Sequence, residues 1–296
     1  MLRSLVLMFL LGSHAALADE VTIDTYAGAQ TVAVAPEKIA VFDVAAIDTL
    51  DALGVKIDAS VSPIYVSYLD DAVAGSAAVG SLFEPDFEAI NAMQPDLVIA
   101  GGRSSKQVPE LSKIAPTVDM TIWEDTIGQG MDRLAAYGAL FDKEAEAAEL
   151  KAAFEAKLAA AKAAVAGQGK ALIVMTNGPK ISAYGAGGRF AWLHKALELP
   201  EAVEEVEQAT HGEAISFEFI RDADPDILLV IDRLAAIGQE GDNAKTTLDN
   251  ALVAETKAWS SGKVVYLSAA PIYIAGGGIQ SMSLTLDEVI AAFAGQ

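Results

Sequence analysis

Two stretches of the chain share one order of apolar and polar positions. "DFEAINAMQPDLVIAGGR", Asp86 to Arg103, and "SFEFIRDADPDILLVIDR", Ser216 to Arg233, align without a gap. Phe87, Glu88, Ile90, Pro95, Asp96 and Arg103 recur as Phe217, Glu218, Ile220, Pro225, Asp226 and Arg233, each 130 residues later. In both copies a phenylalanine and an isoleucine stand three residues apart, a helical spacing that predicts one buried face. Pro-Asp then ends the helix. The continuous apolar runs that follow, "LVIA" and "ILLVI", predict parallel strands covered on both faces. A repeat of this length means two domains of similar plan, not a solenoid.

Other apolar runs extend the pattern. "KIAVFD" (Lys38 to Asp43), "ALIVMT" (Ala171 to Thr176) and "KVVYLS" (Lys263 to Ser268) each read as a strand followed by a helical pattern or a turn-rich loop. Between the two copies, Asp142 to Ala166 consists almost wholly of strong helix formers and has no glycine or proline. At about 1.5 Å per residue such a helix would reach roughly 37 Å, the width of a small domain. The alternative is a long surface helix of one domain; the bracketing repeat favours a linker. The expected architecture is α/β: two Rossmann-like lobes with mostly parallel sheets joined by one long helix. The expected division is a signal peptide at 1–18, a lobe at 19–141, the linker helix at 142–166 and a second lobe at 167–296.

The amino terminus changes where this protein is expected to work. Arg3, the apolar "LVLMFLL" (Leu5 to Leu11) and Ala16-Leu17-Ala18 fit a secretory signal cleaved after Ala18. The apolar stretch is too short to span a bilayer. The expectation is a periplasmic, monomeric protein with no membrane span. The chain has no cysteine, which excludes disulfides, thiolate chemistry and cysteine-built zinc sites. Loss of Arg3 with the signal takes the formal net charge from −21 to −22. Such a body repels nucleic acid and anionic membrane surfaces, so an anionic ligand needs a local basic pocket.

Few residues can supply that pocket. Arg103 and Arg233 close equivalent strands, and the carboxyl ends of strands are where open α/β sheets bind ligands. Arg189 follows the glycine-rich "SAYGAGG". Arginine's fixed charge and donor fork suit an anionic, oxygen-rich ligand; surface ion pairing is the plain alternative. Of three histidines, His14 leaves with the signal, and His194 lies among apolar helix positions, where a structural role fits best. His211, in the loop "QATHGEAIS", is open to ligand contact or to no role at all. Tyr273 precedes three glycines that let a large ligand approach, though a packed aromatic fits equally. Imidazole and phenolate both suit ferric iron. One of each is too few for a closed metal site, yet enough to complete iron that arrives already chelated. No nucleophile elbow, zinc-protease helix or phosphate loop is present.

With these residues in view, the chain resembles the periplasmic solute-binding proteins of ABC importers for ferric siderophores, in the branch that takes catecholates. The resemblance is carried by "DTLDALGV" (48 to 55), "VGSLFEPDFEAI" (79 to 90), "QPDLVIAGGR" (94 to 103), "SAYGAGGRF" (182 to 190), "HGEAISFEFI" (211 to 220), "ADPDILLVIDR" (223 to 233), "LDNALVAETKAW" (248 to 259) and "YIAGGG" (273 to 278). It implies a cleft between two lobes that holds an anionic ferric catecholate complex, with no intrinsic cofactor and no chemistry done on the ligand. Arg103, Arg189 and Arg233 would attract the anion with Tyr184 beside them. His211 and Tyr273 would ligate iron left open by a tetradentate siderophore. Glu88 and Glu218, one per lobe, would meet the permease dimer of the importer; stabilisation of a helix dipole is their plain alternative. The family usually has a tryptophan before the tyrosine, where this chain reads Pro271-Ile272-Tyr273, so Tyr184 and Tyr266 stand as other candidates. A haem, cobalamin or divalent-cation binder of the same fold, and a secreted hydrolase, are the competing expectations.

Overall fold

The computed structural model describes residues 19–206 and 211–294. The expected signal peptide and its cleavage site at 1–18 lie outside the described residues, as does part of the loop before His211.

The chain enters through an antiparallel hairpin of β1 (Glu20–Thr25) and β2 (Gly28–Ala33). Its alternation of polar and apolar residues is the signal for a two-stranded ribbon, although the repeat gives no hint of it. The first five-stranded sheet contains β3 (Ile39–Val41), β4 (Ala59–Ser60), β5 (Ala77–Ala78), β6 (Leu97–Ala100) and β7 (Thr117–Asp119). Its order is β5-β4-β3-β6-β7 and every pairing is parallel. The second sheet contains β8 (Ala171–Asn177), β9 (Lys180–Tyr184), β10 (Glu213–Ile215), β11 (Ile227–Asp232) and β12 (Val264–Tyr266), in the order β10-β9-β8-β11-β12. Its β8, β11 and β12 run parallel, while β9 turns back antiparallel to β8 and carries β10.

The repeated stretches adopt the same local structure for the same reasons. The helices Phe87–Met93 and Phe217–Ala223 start where the Asp86 side chain accepts from the Ala89 amide and the Ser216 hydroxyl accepts from the Phe219 amide. They end at Gln94 and Asp224, both left-handed, with φ of 51° and 38°. The repeated aspartates then tie each new strand to its neighbour. Asp96 Oδ2 accepts from the Lys38 amide at 2.8 Å, and Asp226 Oδ2 accepts from the Lys170 amide at 2.8 Å. One expectation is corrected. Ile90 and Ile220 are fully buried, but Phe87 is 37% exposed and Phe217 only half-buried. A seven-residue helix has room for one core residue per turn, and the isoleucine takes it.

A 22-residue helix, Glu144–Val165, leads from the elements of the first sheet to β8. Its buried side chains, Ala147, Phe154, Ala161 and Val165, form a narrow stripe, flanked by the partly buried Leu150 and Leu158. That stripe packs on the helices Thr126–Leu140 and Ile279–Phe293. The last helix also packs on the helix Val44–Ala52 of the first lobe. Along β8 and β11 the burial alternates. Ile173, Met175, Leu229 and Ile231 join a core that is continuous with Ile39 of the first sheet and with Phe154. Leu172, Val174, Leu228 and Val230 face a separate cluster under the outer helices. Among the described residues no helix is long and apolar enough to cross a membrane.

Candidate ligand-binding cleft

Four sequence positions far apart are drawn together at the carboxyl ends of the second sheet's strands. The β8–β9 hairpin supplies Met175, Asn177, Lys180, Ser182 and Tyr184; the following loops supply Arg189 and His211, a helix start supplies Arg233, and the end of the helix Ala269–Ile274 supplies Tyr273. Together they line a cavity of about 200 Å³. A larger hollow of about 330 Å³ lies in the first lobe around Pro63 and Tyr65. Asp70 is its only charged lining residue and it holds no histidine. Arg189, Arg233, His211 and Tyr273, all singled out in the sequence, therefore line the smaller cavity.

Tyr273 is the centre of this cavity. Arg233 follows β11, where the Asp232 side chain accepts from the Ala235 amide and starts a short helix. From there its Nε donates to Tyr273 Oη at 3.4 Å and its Nη1 donates to Asn177 Oδ1 at 3.3 Å. The Arg189 guanidinium lies 4.1 Å above the centre of the Tyr273 ring and donates to the Tyr273 carbonyl. Arg103 reaches across from the first lobe. Its guanidinium stands 5.3 Å from the ring centre, its Nη2 donates to the Tyr273 carbonyl at 2.9 Å, and its Nη1 donates to the Ile274 carbonyl at 3.4 Å. Three cations thus surround one phenol. Burial alone would push that phenol up, but the Arg233 bond and the charges of Arg189, Arg233 and Arg103 outweigh it and hold Tyr273 below its ordinary 10.0. Burial and the charge of Arg103 lower Arg189 in turn.

The remaining expected residues fall into clear places. His211 is exposed on the turn before β10 and faces the cavity. Gly212, at φ +73°, brings the backbone so close to the Tyr184 ring that an added Cβ would lie 2.8 Å from it. That contact sets His211 beside Tyr184. Tyr184 itself is 1% exposed, packs edge-on against Phe190 at 4.8 Å and forms floor rather than rim; burial pushes its phenol up to about 12. Tyr266 lies on β12 with its ring 5.3 Å from Lys245 Nζ, and it does not line the cavity. His194 is buried, bonded through Nδ1 to the Leu199 carbonyl at 2.9 Å, and lowered by burial. Glu88 and Glu218 are both exposed in the first turns of the matching helices, away from the cavity. Its own backbone amide and the Ser216 hydroxyl hold Glu218 below the usual carboxylate range.

Sequence reasoning missed Asn177 and Lys180, because it ended the strand at Thr176. The dipeptide Asn177-Gly178 between two apolar runs was the available hairpin signal. It also left unread that Arg103 and Arg189 spend donors on a carbonyl. Among the described residues, no three histidine, aspartate or glutamate side chains converge in a way that could hold a bare metal ion.

Comparison with known proteins bears on the family and the fold. Residues 39–271 match the family model described as periplasmic binding protein. The petrobactin-binding protein YclQ of Bacillus subtilis is 36% identical over 265 residues, covering 86% of this chain and 81% of that protein. Its crystal structure superposes with a TM-score of 0.87 over 94% of this chain and 100% of its own. The ferric-anguibactin-binding protein FatB of Vibrio anguillarum is 31% identical over 94% of this chain and 88% of its own length. The periplasmic catecholate-siderophore binding protein VctP of Vibrio cholerae is 30% identical with a TM-score of 0.84, covering 92% of this chain and 100% of VctP.

Proposed function

This chain belongs to the periplasmic binding protein family, and from that premise we propose that it captures an anionic ferric catecholate siderophore and delivers it to an ABC importer. Relatives named for petrobactin, ferric anguibactin and a catecholate siderophore support the ligand class. The observation that carries the reading is the convergence of Arg103, Arg189 and Arg233 on Tyr273, beside His211. A protein of net charge −21 attracts a multiply charged anion only through such a local concentration of arginine.

In this reading the arginines bind the catecholate oxygens, with Tyr184 as the floor beneath them. Tyr273 and His211 take the two iron positions that a tetradentate siderophore leaves open. A phenol surrounded by three cations gives up its proton readily, and the phenolate is the form that ligates ferric iron. Glu88 and Glu218 face the importer's permease dimer, one from each lobe. The mature protein starts after Ala18, works as a monomer in the periplasm, and divides at 142–166 into lobes of 19–141 and 167–296.

Titration of tryptophan fluorescence with ferric catecholate and ferric hydroxamate complexes tests the ligand class. Tight binding is expected for the anionic catecholate complexes. Binding of a neutral hydroxamate complex with none of a catecholate would overturn the proposal. His211→Ala should weaken a tetradentate complex far more than a hexadentate one, whereas equal losses would make His211 a packing residue.

A further inference from the structure

Asp48 is a fully buried carboxylate in the first lobe that the cleft chemistry does not use. It lies in the helix Val44–Ala52 and faces the amino terminus of the last helix, Ile279–Phe293, more than 230 residues later. Its Oδ1 accepts from the Gln280 amide at 2.8 Å, and its Oδ2 accepts from the Ser281 amide at 3.0 Å and from the Tyr68 hydroxyl. Those amides have no partner within their own helix, so Asp48 caps that helix from a different part of the chain. Neighbouring bonds fasten the same point. Gln280 Nε2 donates to the Asp48 carbonyl and to Asp51 Oδ2, both at 2.8 Å, and the Ile279 amide donates to Thr49 Oγ1 at 3.3 Å. Gly278 is needed for this approach: a Cβ there would lie 2.5 Å from the Asp48 carboxylate. Burying a carboxylate is costly and is tolerated only when it is fully bonded. Burial pushes Asp48 up to about 7 even against the pull of its three donors.

Ser281 carries this anchorage toward the cleft. Its amide is held by Asp48, and its hydroxyl, 1% exposed, donates to the Pro271 carbonyl at 2.8 Å. Pro271 belongs to the short helix Ala269–Ile274 that presents Tyr273. The Tyr273 and Ile274 carbonyls are held by Arg103 and Arg189. Three successive glycines lie between Ile274-Ala275 and the capped helix, so the covalent chain alone leaves this turn loosely defined. The hydrogen bonds supply the definition that the glycines do not.

We propose that Asp48 and Ser281 form a positioning relay that sets the stance of the Tyr273 phenolic oxygen toward ferric iron in the cleft. The relay rests on the reading of Tyr273 as an iron ligand. Neither residue touches the ligand. Their effect is confined to complexes whose iron needs the tyrosine.

The test compares Asp48→Asn and Ser281→Ala with the parent protein, using the ferric complexes of a tetradentate bis-catecholate and a hexadentate tris-catecholate. Loss of an outer partner of a metal ligand typically weakens metal binding by roughly 10- to 100-fold. That loss is expected for the tetradentate complex, with its phenolate-to-iron charge-transfer band shifted or weakened and hexadentate affinity unchanged. A folded variant with parental tetradentate affinity and an unchanged band overturns the relay, and so does an equal loss for both complexes. Should Asp48→Asn fail to fold, Ser281→Ala decides, since it keeps the amide bond to Asp48 and removes only the hydroxyl. Tyr273→Phe separates the two levels of argument. If that variant binds the tetradentate complex normally, the iron-ligand reading fails; if it binds weakly while both relay variants bind normally, the relay alone fails.

Discussion

Replacing Arg233 with glutamine should raise the pH at which Tyr273 ionises. In the parent protein, burial opposes the phenolate, and the net lowering below 10.0 comes from the Arg233 bond and the charges of Arg189, Arg233 and Arg103. The Arg233 Nε stands 3.4 Å from the phenolic oxygen, which puts the centre of its charge a little farther away. Unit charges about 5 Å apart at an effective dielectric constant of about 20 attract by roughly 3 kcal/mol. Both side chains are partly open to water, and that screening reduces the interaction to about 1 kcal/mol, a several-fold change in the acid constant. The phenolate's near-ultraviolet band reports the titration directly. Tyr273 should ionise ahead of Tyr26, Tyr68, Tyr137, Tyr184 and Tyr266, all of which are raised, and Tyr273→Phe should erase the early phase. The sign extends to stability. A phenol lowered in the folded state adds stability that is fully present above pH 10 and lost as the pH falls through the folded value. The stability gap between parent and Arg233→Gln should therefore widen as the pH rises toward 10. A midpoint that stays put, or falls, in Arg233→Gln would refute the view that the arginines hold the phenol down.

Three further outcomes are expected. Phe154→Ala, in the buried stripe of the long helix where Phe154 is 1% exposed, should cost about 3–5 kcal/mol. Urea unfolding measures this, and a loss under about 1 kcal/mol would mean that the stripe does not hold the helix. Asp96→Ala and Asp226→Ala each remove the acceptor of one strand-start amide, so each should lower stability by a similar amount, about 1 kcal/mol; clearly unequal losses would argue that the repeated clamps are not equivalent. Glu88→Gln with Glu218→Gln should leave siderophore affinity intact and abolish uptake by cells, and normal transport in that double variant would return both glutamates to a helix-dipole role.

The internal repeat made the helix–strand units legible because its determinants are local. A capping side chain, a left-handed helix end and a Pro-Asp step lie within a dozen residues of one another, and both copies use them. Burial of Phe87 was misread because periodicity gives the direction of a side chain and not the depth of what covers it. Sheet order, and the antiparallel return of β9, depend on contacts between distant segments. The cleft divides in the same way. His211, Arg233 and Tyr273 could be picked out as chemically apt residues, and the cavity brings them together. The bonds from Arg103 and Arg189 to the Tyr273 carbonyl span 170 and 84 residues, and no local pattern signals them. Asp48 is a still clearer case, because nothing in its own stretch "DTLDALGV" signals a buried cap and its partners lie at the other end of the chain.

The core that runs from Ile39 through Phe154 to Ile173 and Leu229 has a consequence for selectivity. It makes the molecule resemble a single casting with a slot, not two jaws on a pin. Widening the slot substantially would pull buried aliphatic and aromatic side chains out of contact, at roughly 1.5–3 kcal/mol for each one exposed. A ligand held with nanomolar affinity has only about 12 kcal/mol of binding free energy in all, so it could offset the exposure of no more than a handful of them. The slot consequently works as a gauge. Chelates should then be sorted by diameter on entry, with a complex too bulky for the resting gap refused however well its charge matches the arginines.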